Sequence, residues 1–554
     1  MLDAKLVSSL EKIFTDTDMK DLDSLTSTTA LRGERLSFQV VYQATGPVEY
    51  RKKTALSLDG ALAEFATIRE VGFVTVLRPI DLRRHDDGYL RKTPGIYPDV
   101  LRPVHYGGMV VGRYECPSAL WVEVDIPKDC AVGKSTLTVS LLTEGEAEAR
   151  TLSLTVDVIG ATLPDESIYY TEWFHCDCLA SYYDVKVWSA KHWRIVENYA
   201  RVAVKNGINM LLTPVFTPPL DTAVGGERPT NQLVGVSLDN GEYTFDFKLL
   251  DKWIKMCNRV GVKYFEIAHF FTQWGAAHAP KIMATVDGEY KKLFGWETDA
   301  TSDEYAGFLR AFIPALLSHL RKSGDDKRCF FHISDEPHVD QLDSYLAAKN
   351  IVAPLLEGYP IMDALSNYDF HARGVVDLAI PASDHIEPFI EHGVAPLWTY
   401  YCCGQCVGVS NRLIAMPSWR NRSIGLQMYK YDIKGFLQWG YNFYYNCHSG
   451  DLINPYAEQD GDYWIPAGDG FSVYPAQDGE ALESLRIIVF NEALQDLKAL
   501  RLLEKYIPKS EIVAMIEGIL GFELRFDTCA TSAKQILDVR RAVDNALREF
   551  TKGE

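Results

Sequence analysis

Two hydrophobic periods divide this chain. Up to about residue 165 the period is two. Segments 135–142 and 151–158 alternate apolar and polar residues, as half-buried strands do. Leu36-Ser37-Phe38-Gln39-Val40-Val41-Tyr42 and Ala119-Leu120-Trp121-Val122-Glu123-Val124-Asp125 read as further strands. Gly107-Gly108, Pro127-Lys128-Asp129 and Gly145 supply turns. Residues 1–165 are therefore expected to form an N-terminal β-sandwich. No cluster of candidate catalytic groups lies in it, although Arg83, Arg84 and His85 could reach a neighbouring domain.

From Ile168 short apolar runs alternate with helical periods. Eight runs read as strands: 168–173, 208–213, 263–268, 329–334, 360–365, 375–380, 395–401 and 435–440. Helical patterns fit at 189–206, 248–259, 302–321, 340–353 and 419–431, with Gly207 and Gly261 where a helix should stop. The link between the fifth and sixth strands is short, so its helix is expected to be degenerate. Eight βα units in this length suit a (β/α)8 TIM-type barrel over 166–506, closed by a helix near 479–506. Helical patterns at 511–518 and 531–550 make 507–554 a C-terminal helical extension. The expected class is thus multidomain, β followed by α/β.

The run Cys329-Phe330-Phe331-His332-Ile333-Ser334-Asp335-Glu336-Pro337 organises the barrel. It begins as a buried strand and ends in two adjacent carboxylates. Pro337 then stops strand pairing, because it has no N–H to donate. Barrel chemistry sits at such strand tips. Glu172, Trp173, His175 and Asp177 follow the first strand, and His269 and Gln273-Trp274 the third. Asn367-Tyr368 follow the fifth, and Ser383-Asp384-His385 the sixth. Trp398, Tyr400 and Tyr401 end the seventh, and Trp439, Tyr441 and Asn442 the eighth. Aromatic faces stack on the apolar faces of a sugar ring, and polar side chains take its hydroxyls. The expected sugar-binding set is Trp173, His175, His269, Asn367, Tyr368, Trp398, Tyr400, Tyr401, Trp439 and Asn442.

Composition narrows the partners. The 554 residues are 47% hydrophobic and 24% charged, which is globular, and the net charge of −19 argues against nucleic acid and anionic membrane. No run approaches membrane-spanning length. Residues 1–18 read as an amphipathic segment with Asp3, Lys5, Glu11 and Lys12, lacking the apolar stretch of a secretory signal. Eleven cysteines, an odd number in a large chain, suggest free thiols and a reducing, cytoplasmic setting. The oligomeric state is open.

Glycoside hydrolysis needs a proton donor and usually a second carboxylate across the scissile bond. The seventh tip, Trp398-Thr399-Tyr400-Tyr401-Cys402-Cys403, carries no carboxylate. The second acid is Asp335, beside Glu336. Neighbouring acids suit a substrate that brings its own nucleophile, the carbonyl oxygen of a 2-acetamido group. Asp335 would then orient the amide N–H and Glu336 would protonate the leaving oxygen. The pair would resist joint ionisation, which helps keep a proton on Glu336.

Three segments resemble glycoside hydrolase family 123: Asp335-Glu336, Pro94-Gly95-Ile96-Tyr97-Pro98-Asp99, and Arg422-x-x-Gly425 through Lys430-Tyr431 to Gly435-Phe436-Leu437-Gln438-Trp439-Gly440-Tyr441-Asn442. The resemblance implies a retaining, substrate-assisted β-N-acetylgalactosaminidase acting on a glycan or glycolipid with a terminal N-acetylhexosamine, with Asp335 and Glu336 as the catalytic pair and no cofactor. Other readings stay open. Glu336 could work with Asp384 or Glu387 on a non-acetamido sugar, or the barrel could bind carbohydrate without cleaving it. Asp335-Glu336 could be a helix N-terminal acid pair. His332 with Asp335 and His338, or Cys402, Cys403 and Cys406 with Cys176 and Cys178, could suggest a metal, but the spacings are awkward or partial and none is expected. Trp398 and Trp439 could simply fill the barrel.

Overall fold

Strand β1 (Leu2–Ser8) buries Leu2, Ala4 and Leu6 and turns Asp3 to solvent. The opening segment, read from its charges as amphipathic, is thus a strand of period two. The computed structural model describes residues 2–46 and 52–551. The chain divides into two units: unit 1 is Met1–Ser167, Cys406–Tyr431 and Leu482–Glu554, and unit 2 is Ile168–Gln405 and Asp432–Ala481.

Unit 1 continues with β2 (Ser27–Arg32), β3 (Arg35–Ala44), β4 (Thr54–Asp59), β5 (Ala66–Val76), β6 (Gly95–Pro103), β7 (Met109–Val110), β8 (Ser118–Asp125), β9 (Gly133–Thr143) and β10 (Arg150–Thr162). They form two five-stranded sheets, β1-β3-β8-β5-β6 and β2-β10-β9-β4-β7. Phe38 and Val40 of β3 and Leu120 and Val122 of β8 share one apolar core with Val139 of β9 and Val156 of β10. The helix anticipated near 479–506 is Leu485–Leu503, and it lies in unit 1. It is buried on nearly every face, and its charges are matched within the unit. Arg486 grips Asp99 through two nitrogens. Asp496 and Glu492 take Arg422, at 2.7 and 2.8 Å. Buried charges persist only when paired in this way.

The strands of unit 2 are β11 (Tyr169–Glu172), β12 (Met210–Thr213), β13 (Gly235–Asp239), β14 (Glu242–Asp246), β15 (Tyr264–Ile267), β16 (Ile282–Val286), β17 (Glu289–Phe294), β18 (Cys329–Phe331), β19 (Met362–Ala364), β20 (Leu378–Ile380), β21 (Trp398–Tyr400), β22 (Gly435–Gln438) and β23 (Val473–Pro475). Six of them make a curled parallel sheet in the order β18-β15-β12-β11-β22-β21. β19 and β20 pair in parallel, and single parallel bridges join Phe331 to Ile361 and Ala382 to Tyr400. Helices Ala190–Lys205, Lys248–Val260, Asp303–Arg321 and Leu342–Val352 stand between successive parallel strands. The short link after β19 carries the five-residue helix Tyr368–Ala372. The fold is therefore mixed α and β.

A second sheet, β14-β13-β16-β17, was not anticipated. Its outer strand β17 is mostly exposed, so no apolar period marks it. The hairpin dipeptides Asn240-Gly241 and Asp287-Gly288 were its legible signals. No helix among the described residues is long and apolar enough to cross a membrane.

The register of the parallel sheet sets which end carries which residue. Trp398, Gly435 and Tyr169 lie side by side at the strand starts, and Gln438 pairs with Glu172 at the strand ends. Trp398 stacks on Tyr169 at 5.3 Å and packs against Phe330. It fills the interior at the strand starts and does not join the strand tips, which corrects its place in the expected sugar-binding set. A side chain on Gly435 would overlap the Trp398 indole. Gly435→Ala is expected to cost about 1–3 kcal/mol by overpacking, read as a lowered denaturant midpoint with unchanged m-value. An unshifted midpoint would remove this account of the glycine.

Candidate active site

The apolar strand β18 delivers His332 into a fully buried position. Its Nε2 lies 2.7 Å from Glu266 Oε1 and its Nδ1 2.9 Å from Asp363 Oδ1. Burial alone would push the imidazole pKa down. The hydrogen bonds and charges of Asp363 and Glu266 outweigh it and raise the pKa to about 10. The ring is therefore an imidazolium donating from both nitrogens. Glu266 also accepts from the Trp173 indole at 2.8 Å and from Thr171. Asp363 also accepts from the amides of Ile333 and Ser334 and from the Tyr345 hydroxyl. His269 stacks on His332 at 4.1 Å, and burial, then the His332 charge, drive its pKa well below the usual range. The ligand atoms of His269, His332 and Asp363 lie within 4.8 Å of one another. With both His332 nitrogens donating, however, that ring has no lone pair for a cation.

Above this floor, Ser334 Oγ donates to the Thr272 carbonyl at 2.7 Å, and the Trp274 amide donates to the Asp335 carbonyl at 3.0 Å. Glu336 has a left-handed backbone, φ 41°. The Tyr400 hydroxyl donates to its Oε1. Burial, then the charges of Glu336 and Asp221, raise the Asp335 pKa well above the usual carboxylate range. Left-handed non-glycine residues recur around the pair: Asp221 (48°), Trp274 (57°), His448 (56°) and Ser449 (56°). Such strain collects at ligand sites when the surroundings enforce it. Trp274, 38% exposed, stands edge-on to His448 at 5.7 Å and offers an aromatic face at the rim.

The model of the glycoside hydrolase 123 catalytic domain matches residues 173–503. The chain belongs to glycoside hydrolase family 123. A solved family 123 glycoside hydrolase from Clostridium perfringens, described for glycolipid glycan hydrolysis, is similar at TM-score 0.75 and 16% identity, over 99% of this chain and 98% of that one. A β-glucuronidase from Parabacteroides merdae is less similar (TM-score 0.31, 9% identity, 89% of this chain and 52% of that one). So is an endo-β-1,4-mannanase from Thermotoga petrophila (TM-score 0.32, 11% identity, 60% and 77%). The comparison with curated proteins gives no match.

In this family 123 hydrolase the tip residues have divided duties. Trp439 is half-buried, its indole N–H fixed on Asp469 at 2.8 Å, and its ring near Trp464. His175 is buried and neutral, because burial and then Arg228 lower its pKa to about 3. It donates through Nε2 to the Trp439 carbonyl and accepts at Nδ1 from Arg228. Asn442 bonds the His175 backbone in both directions, at 2.9 and 3.1 Å. His175, Asn442 and Trp173 are thus buried and hydrogen-bonded within the chain, whereas His269 is buried with both ring nitrogens unpartnered. Asn367 caps the helix Tyr368–Ala372, and Tyr368 stacks on His392 at 4.2 Å. Tyr401 is fully buried against Phe436. Asp384 is taken by His385 and Gln405, and Glu387 opens a helix in solvent. Cys403 donates its amide to Asp469, while Cys406 belongs to unit 1, its thiol on the Arg84 carbonyl.

Three charged residues were missed. Asp221 and Arg228 come from the loop after β12, and Asp469 from the loop after β22. Arg228 is paired with Asp177 at 2.7 Å, and Asp469 accepts from Gln438, Trp439 and Cys403. The long loop 214–234, ending a predicted strand and carrying Asp221 and Gly225-Gly226, was the available signal.

The clamp has a definite pH signature. A folded pKa of about 10 against 6.5 means that the His332 contribution is complete below pH 6.5 and is lost as pH rises through 10. Histidine-selective NMR should find one ring still charged at pH 8, and the rings of His175 and His269 neutral at pH 5. A His332 ring that titrates near 6.5 would remove the imidazolium.

Proposed function

We propose that this family 123 hydrolase removes terminal β-linked N-acetylgalactosamine by a retaining, substrate-assisted mechanism. Glu336 is the general acid and then the general base, and Asp335 orients the 2-acetamido group. The observation that best supports this is the Tyr400 hydroxyl on Glu336, beside a half-buried Asp335 whose neighbours raise its proton affinity. The charges of Glu336 and Asp221 raise the Asp335 pKa and that of Glu336 raises the Asp221 pKa, so the acids of this cluster resist joint ionisation. The acetamido carbonyl oxygen attacks the anomeric carbon as the aglycone leaves with a proton from Glu336. Asp335 accepts the amide N–H and offsets the positive charge of the oxazolinium. Glu336 then takes a proton from the water that opens the ring. The fold reading that accompanies it is an N-terminal β-sandwich and a closed (β/α)8 barrel. The bridges at Phe331 and Ala382 support that closure.

A two-carboxylate mechanism is the second reading, favoured by Asp221, whose charge couples to both Asp335 and Glu336. An aryl β-glycoside screen that includes the N-acetylgalactosaminide, with a thiazoline inhibitor, separates the two. Strong thiazoline inhibition supports the acetamide nucleophile. A fluorosugar trapped covalently on Asp221, Asp469 or Asp335 overturns it.

Glu336→Gln is expected to abolish most turnover of substrates with poor leaving groups and to spare those with good ones. Equal losses on both would remove the acid role. Asp335→Asn keeps the shape and loses the charge that the oxazolinium needs. Its kcat should fall about 10²–10³-fold, by analogy with an oxyanion-hole donor, with little change in KM and no rescue by azide. A rise in KM at constant kcat would point to ground-state binding instead.

A further inference from the structure

In the substrate-assisted mechanism Asp221 takes no part in the bond-making steps, yet its placement is enforced. Its backbone is left-handed, φ 48°. Its amide donates to Gln273 Oε1 at 2.7 Å, and its carbonyl accepts from Ser449 Oγ at 2.6 Å. Loops following β15 and β22 therefore pin it from two sides. Its carboxylate accepts no hydrogen bond from any described residue. The other acids of this region differ. Glu266, Asp363, Asp177 and Asp469 each accept two or more donors. Burial raises the Asp221 pKa to about 7; Arg228 opposes the rise, and Glu336 and Asp469 add to it. A half-buried carboxylate with open lone pairs, held among other acids by a strained backbone, is costly unless a ligand supplies donors.

We propose that Asp221 is a specificity-determining residue whose carboxylate accepts hydroxyl groups of the sugar bound at Asp335 and Glu336. The assignment rests on the reading of that pair given above. Asp335 takes the group at C2 and Glu336 the glycosidic oxygen, which leaves the hydroxyls at C3, C4 and C6 for Asp221. No covalent step is involved. A site built to hydrogen-bond a hydroxyl rejects the analogue that lacks it, because its own polar group is left unpaired.

The test pairs two variants with a deoxy-substrate series. Asp221→Asn keeps the shape and tolerates the left-handed backbone, and Asp221→Gly removes the side chain without strain. Each should lower kcat/KM on the aryl glycoside roughly 10- to 100-fold. The native enzyme should lose a similar factor on one deoxy analogue, at C3, C4 or C6. Asp221→Gly should lose nothing further on that analogue, because the interaction is already gone. Equal deoxy penalties in native enzyme and Asp221→Gly overturn the assignment. Glu336→Gln run alongside reports on the catalytic pair separately. Should the native enzyme cleave no aryl β-glycoside, the catalytic reading falls alone. Binding of free N-acetylgalactosamine then decides: no binding by the native enzyme, or an unchanged Kd in Asp221→Asn and Asp221→Gly, overturns the Asp221 role.

Discussion

The candidate site stands on one buried cation. His332 lies between Glu266 and Asp363 with all three side chains out of water. Stripping water from three charges is expensive, and mutual attraction repays it only where the remaining hydrogen bonds are made. Here they are. Glu266 takes Thr171 and Trp173 from β11 and its exit, and Asp363 takes Tyr345 and two backbone amides. Those amides belong to Ile333 and Ser334, the residues that lead into Asp335. One ionic cluster therefore ties β11, β15, β18 and β19 together and fixes the direction in which the acid pair leaves its strand. Removing any partner would leave an uncompensated charge in the interior, so the cluster resists piecemeal change.

The polar groups of the site fall into two kinds. Below the tips, acids are saturated with donors and act as struts. At the tips, Asp335 and Asp221 carry raised proton affinities, and Glu336 and Asp221 stand on left-handed backbone. Strain and unfilled acceptors are found together beside Trp274, whose amide donates to the Asp335 carbonyl and whose ring is partly exposed. That division follows from solvent access. An interior acid must be satisfied by the chain itself, whereas an acid facing a cleft can wait for a ligand.

The sequence made the strands and the acid pair legible because each has a local signature. A buried parallel strand is a short apolar run, and an acid pair at its end breaks that run abruptly. The depth at which a side chain sits along its strand has no such signature. Trp398 and Tyr400 are two residues apart on β21, yet Trp398 packs at the strand starts while Tyr400 reaches Glu336. Asn367 follows a strand as a sugar ligand would, and is spent on a helix cap. Asp221 and Asp469 were illegible because long loops return them to the site from positions that no period marks. The polar alternation of β17 failed as a signal for a related reason: a strand with little apolar face leaves no hydrophobic pattern.

The segment that most resembles the family also has a mechanical explanation. Gly435 makes room for Trp398. Gln438 and Trp439 both donate to Asp469, at 3.0 and 2.8 Å. The Phe443 amide donates to the Gly470 carbonyl and the Ser472 amide to the Tyr441 carbonyl, so the chain after β22 is zipped to the loop 469–472. Ser472 in turn donates to Glu172 at the tip of β11. Fixing the Trp439 N–H on Asp469 fixes the plane of its ring, which packs against Phe443 and Trp464. The motif is therefore a joint that holds the strand end against the loop 469–472 and fixes the Trp439 ring, and packing alone constrains its residues.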